Sequence, residues 1–167
     1  MRRRMIAVIG ASRPSERERA LAFEVGERLA RVGLAVVTGG LGGVMEAASA
    51  GAAAAEGMVV GILPGVDPAA ANPHAAVVIA TGLGDARNAV IADTADGFVA
   101  VGGGLGTLSE IALALKRGKP VVALDTWKLD AKRLEGVVWV KADSAESAVS
   151  LLLERLPRDP ASGMGRD

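Results

Sequence analysis

The chain has no cysteine, no tyrosine and a single histidine, His74. Without thiols there is no disulfide, no thiolate nucleophile and no cysteine-ligated metal, and one histidine cannot build a zinc cluster. Aromatic residues are scarce as well. Two Phe and two Trp in 167 residues leave the core to be assembled from Val, Leu, Ile and Ala. Net charge is also absent, 19 basic residues standing against 19 acidic ones, which argues against a general electrostatic grip on nucleic acid or membrane. A local phosphate site stays open. Long apolar runs are missing too: Met5–Ile9, behind the basic start Met1-Arg2-Arg3-Arg4, is too short for a signal segment or a span, so a cytoplasmic location is expected.

Small residues are abundant, half of the chain is hydrophobic, and 22 residues are glycine. The most informative stretch is 97–118, where the apolar run Gly97-Phe98-Val99-Ala100-Val101 leads into Gly102-Gly103-Gly104-Leu105-Gly106. Leu108, Ile111, Ala112 and Leu115 then recur at helical spacing. The pattern predicts strand, glycine loop and helix, a junction whose unpaired helical N–H groups suit a phosphate. Neither the Gly-x-Gly-x-x-Gly fingerprint nor a P-loop lysine is present. Thr107 and Glu110 have the spacing of a capping box, so Glu110 reads either as a cap or as a functional carboxylate.

Further apolar runs predict strands at 5–9, 34–37, 58–63, 76–80, 120–124 and 137–140, and helical patterns cover 15–32, 47–55, 85–94 and 145–156. The first strand ends at Gly10-Ala11-Ser12, where Ser12 is either a turn residue or a phosphate donor. The second ends at Gly39-Gly40-Leu41-Gly42, followed by Glu46, and these residues match Gly103, Gly104, Leu105, Gly106 and Glu110 at a constant offset of 64. One device is expected to be used twice. Arg87, one turn into an otherwise apolar helix, is either paired with a nearby aspartate such as Asp93 or Asp96, or presents its planar fork to a phosphate. His74 reads as a loop residue without a second ligand.

Strands alternating with helices imply βαβ units and an α/β fold. The expected architecture is a single domain over 1–156 with a frayed tail at 157–167: a three-layer, Rossmann-like, doubly wound parallel sheet of about seven strands. Strand 97–101 should lie beside strand 5–9, with the crevice between the Gly10 and Gly102 loops and the Gly39 loop next door. Little polar cover around 47–55 and 86–92 suggests self-association.

Gly-Gly-x-Gly-Thr-x-x-Glu, here Gly103-Gly104-Leu105-Gly106-Thr107-Leu108-Ser109-Glu110, resembles the hallmark of the "lysine decarboxylase-like" superfamily. That group includes the LONELY GUY (LOG) phosphoribohydrolases, the molybdenum-cofactor carriers and the nucleotide-binding domain of the DNA-processing Smf proteins. The resemblance spans 5 to about 125. It implies that Gly103, Gly104, Gly106 and Thr107 cradle a phosphate, with Gly10, Ser12, Gly39, Gly40 and Asn88 nearby, and that Arg87 and Glu110 are the catalytic pair. The implied reaction hydrolyses a nucleoside 5'-monophosphate to base and ribose 5-phosphate, with no added cofactor or metal. Where the hydrolases carry Pro-Gly-Gly and Arg-Lys, this chain has Gly102-Gly103-Gly104 and Arg87-Asn88, which resembles the carrier and Smf-related branch. The alternative is therefore a non-enzymatic molybdopterin carrier. Lysine decarboxylation has no support, because no lysine sits in a Schiff-base context. The expected partner is a small phosphorylated ligand, and the expected assembly a homodimer or homotetramer.

Overall fold

The structure, a computed structural model, describes residues 2–157; most of the segment expected to fray, 158–167, lies outside the described residues. Seven strands, β1 Met5–Gly10, β2 Ala35–Thr38, β3 Val59–Leu63, β4 Val77–Ala80, β5 Gly97–Val101, β6 Val121–Leu124 and β7 Trp139–Ala142, form one sheet in the order β4-β3-β2-β1-β5-β6-β7. Every pairing is parallel. The five strands from β3 to β6 are apolar almost throughout, Thr38 being the polar exception, because both of their faces are buried.

Five helices cover the sheet: α1 Glu16–Arg31, α2 Val44–Ala54, α3 Arg87–Thr94, α4 Leu105–Lys116 and α5 Ala145–Arg155. One core lies under α1, α2 and α5 and is built on Val8, Val36, Val99 and Val122; the other lies under α3 and α4, on Ile9, Val37, Phe98 and Val121. The start of α1 is fixed by a capping box in which Ser15 Oγ accepts from Glu18 N at 3.2 Å and Glu18 Oε2 accepts from Ser15 N at 2.6 Å. Glycine lets α1 and α2 touch backbone to backbone. A Cβ added at Gly26 would stand 2.0 Å from the Ala48 carbonyl oxygen, and one at Gly51 would stand 1.9 Å from that of Phe23.

That contact corrects the expected apolar surface. Ala47, Ala48, Gly51 and Ala52 are buried, and in α3 so are Arg87, Asn88, Ile91 and Ala92. A group of exposed apolar side chains lies instead on and near the edge strand β4: Val66, Val77, Ile79 and Leu83. Some boundaries also move. The last strand is Trp139–Ala142 rather than 137–140, α2 begins at Val44 rather than 47, and α3 at Arg87 rather than 85.

Candidate functional site

The chain leaves the edge strand β4 and crosses through α3 to the central β5, so β1 and β5 are neighbours whose following segments diverge. A crevice of about 320 Å³ opens where this switch predicts it. Its walls come from the loop after β1 (Gly10, Ser12), the start of α2 (Met45), the start of α3 (Asp85, Arg87, Asn88) and the start of α4 (Gly104, Gly106, Thr107, Glu110).

The capping-box reading of Thr107 and Glu110 does not hold. Gly104 is the N-cap of α4, with no side chain to bond, so Thr107 lies inside the first turn and Glu110 a turn further along. The helix begins early because Gly103, at φ +109, turns the chain where a Cβ would sit 2.4 Å from Thr107 Oγ1. The N–H groups of Leu105, Gly106 and Thr107 therefore open the helix without an intrahelical partner, at the positive end of its dipole.

The two Gly-Gly-Leu-Gly loops also diverge. At the first, the chain runs three residues further before its helix starts, and Val44 N donates to the Ala11 carbonyl at 2.9 Å. A Cβ at Gly43, the N-cap of α2, would lie 2.4 Å from the same oxygen. The start of α2 is thus closed by the chain's own backbone, whereas the start of α4 faces the crevice. Gly39 and Gly40 do not line it. The Gly39 carbonyl accepts from Arg87, and Gly40 N donates to Thr38 Oγ1 at 3.1 Å. Nor does Gly103, where an added Cβ would run into the Thr107 side chain.

Arg87 is buried, and Asp93 and Asp96 pair instead with Arg117 and Arg2. Its Nη1 donates to the carbonyls of Gly39, at 2.7 Å, and Ile62, fastening the ends of β2 and β3, and its Nε donates to Asn88 Oδ1 at 3.2 Å. Among the described residues Nη2 makes no hydrogen bond. Asn88 Nδ2 donates to Ser109 Oγ at 3.0 Å, and Ser109 Oγ to the Gly106 carbonyl at 2.9 Å, so one chain of bonds ties α3 to the first turn of α4. Sequence reasoning missed Ser109, Asp85 and Met45; the one available signal was the position of Asp85 and Met45 beside the glycine loops.

Burial pushes the Glu110 carboxyl up from 4.5 to about 7, against the opposing pull of the Arg87 cation. The same burial lowers the Arg87 value, with Glu110 and Asp85 acting against it. An open helix start, a buried arginine and a carboxyl poised near neutrality therefore share one crevice. His74 lies outside it, its backbone N donating to Asn72 Oδ1 at 3.1 Å. Among the described residues no group of three or more His, Cys, Asp or Glu could hold a metal ion, and no helix is long and apolar enough to cross a membrane.

Comparison with known proteins gives the same fold. The cytokinin riboside 5'-monophosphate phosphoribohydrolase of Mycobacterium tuberculosis is 35% identical over 133 residues, covering 73% of this chain and 71% of that protein. The molybdenum cofactor binding protein of Rippkaea orientalis superposes with a TM-score of 0.87 at 38% identity, over 92% of this chain and 98% of that one. The molybdenum cofactor carrier protein of Chlamydomonas reinhardtii gives 0.82 at 34%, again over 92% and 98%. The model of the SLOG cluster4 family matches residues 3–151, and the chain belongs to that family.

Proposed function

We propose that the crevice binds a phosphorylated, nucleotide-like ligand and hydrolyses a nucleoside 5'-monophosphate to its base and ribose 5-phosphate. The phosphate lies on the N–H groups that open α4, next to Ser12 and Thr107. Glu110 carries the reading. Cleavage of an N-glycosidic bond builds positive charge on the ribose, which the ionised carboxylate opposes while drawing a proton from the attacking water. The hydroxyl of that water bonds to the sugar carbon, and the departing base leaves with the electron pair and takes up a proton. A carboxyl near pH 7 suits this exchange, because both of its forms are populated at neutral pH. Arg87, in the same crevice, sets the charge that Glu110 faces. The 35% identical phosphoribohydrolase supports the assignment.

A second reading, a carrier of a phosphorylated pterin, is favoured by Asn88. It lines the crevice as a neutral amide, bonded to Arg87 and Ser109, where the hydrolases carry a lysine, and the cofactor-binding relative is 38% identical. Incubation of the purified protein with adenosine, guanosine, cytidine and uridine monophosphates, with chromatographic measurement of free base, tests the first reading. Mass spectrometry of the ligand retained on purification tests the second. If no monophosphate releases base, hydrolysis is refuted; a retained phosphorylated pterin then makes the protein a carrier.

A further inference from the structure

A doubly wound sheet normally carries a helix between successive parallel strands, yet β6 and β7 are joined by residues 125–138, whose only helical element is the single 3-10 turn Ala131–Arg133. On the α4 side, this part of the sheet is roofed by loop instead of helix. A cavity of about 370 Å³ remains there, within the range of small-molecule sites. Its floor is Ala123, whose small side chain pairs in register with Lys141, and its sides include Trp127, Lys128, Leu129 and Trp139.

Two features separate this cavity from a packing gap. The chain has only two tryptophans, and both line it. Trp127 is still 36% exposed, whereas a ring serving only to fill the place of a helix would be covered. The charge is also one-sided. The Asp125 carboxylate is engaged by Arg17 Nε at 3.3 Å, which leaves Lys128 and Lys141 to set the sign. The cavity adjoins the back of the glycine loop. Trp127 Nε1 donates to the Gly104 carbonyl at 3.2 Å, Gly102 N donates to the Asp125 carbonyl at 3.1 Å, and Thr126 Oγ1 donates to the Gly102 carbonyl.

We propose that the cavity above β6 and β7 is a second binding site, for a planar, negatively charged heteroaromatic group. The ring stacks on tryptophan and its anionic substituent meets the two lysines. This site is separate from the crevice and does not depend on what the crevice binds.

Pterin-6-carboxylate is a suitable probe, titrated into the full chain by calorimetry in the presence and absence of saturating adenosine monophosphate. Binding should be unaffected by the nucleotide, and should weaken about tenfold in Trp127→Ala and in Lys141→Gln, the usual scale for a lost stacking face or charge contact. Trp127→Phe, which keeps a ring, should recover most of the loss, and circular dichroism checks that each variant is folded. Direct competition between the two probes would overturn the proposal by placing both in the crevice. No binding of the pterin with nucleotide binding intact would overturn it while leaving the crevice reading in place. Lysine- and tryptophan-dependent pterin binding without nucleotide binding would sustain the second site and defeat the nucleotide reading of the crevice.

Discussion

Replacing Glu110 with glutamine removes a titrating proton from a crowded crevice while keeping the side chain's shape, and the consequence can be worked out from burial. The carboxyl ordinarily titrates at 4.5, and in the folded chain it holds its proton to about 7. Between those values the native state binds more protons than the unfolded state, so wild-type stability falls as pH rises through the window and stays reduced above it. The shift corresponds to up to about 3 kcal/mol. Glutamine does not ionise and escapes this loss. Any constant effect, such as leaving the Arg87 cation without its carboxylate, cancels when one pH is compared with another. Calorimetry of both proteins should therefore show the melting temperature of Glu110→Gln gaining on wild type by on the order of 6–12 °C between pH 4.5 and pH 8. A difference that stays flat with pH would refute the burial argument. In the same variant, release of base should fall about a hundredfold or more while nucleotide binding persists; unchanged turnover would remove Glu110 from the mechanism.

Gly104→Val should abolish adenosine monophosphate binding with little change in melting temperature, because an added Cβ meets no protein atom within 4 Å and projects from the helix start; unchanged affinity by calorimetry would move the phosphate elsewhere. Gly51→Ala should destabilise by about 1–3 kcal/mol in urea unfolding: the helix-propensity gain of at most about 1 kcal/mol is outweighed by a Cβ placed 1.9 Å from the Phe23 carbonyl oxygen, which cannot swing aside. Self-association through the β4 edge predicts at least a dimer by light scattering at micromolar concentration, converted to monomer by Ile79→Lys, since Val77 and Ile79 are both 44% exposed there; a monomeric wild type would refute it.

Most of the sheet was legible because strands buried on both faces need unbroken apolar runs, and the position of the crevice followed from the order in which the strands must pair. The reading failed where glycine removed the signal. Gly104 caps α4 without a side chain, so the eye falls on Thr107 and Glu110, which satisfy the capping spacing but sit inside the helix. The repeated Gly-Gly-Leu-Gly misleads for a related reason: identical glycines permit several backbone paths, and the Ala11 carbonyl, far away in sequence, selects a different one for the first loop. Strand β7 was placed early because the apolar run is Val137-Val138-Trp139-Val140, whereas the strand itself is Trp139–Ala142 and, at the edge of the sheet, accommodates the exposed Lys141. The bond chain from Arg87 through Asn88 to Ser109 was invisible, since nothing in the spacing of α3 indicates which helix it will meet.

The fastening of Arg87 leaves a lopsided imprint on heredity. Its long-range acceptors are the main-chain oxygens of Gly39 and Ile62, and every amino acid supplies such an oxygen. Position 62 can drift among residues that fill the same apolar space without loosening the guanidinium. The arginine has no such latitude, because no other side chain spreads its donors in a fixed planar fork. Two strands are thus held at the mouth of the crevice by a single codon, while the constraint on the two acceptor positions comes from space alone: apolar filling at 62, and at 39 the room for a Cβ, which would stand 3.0 Å from Arg87 Nη1.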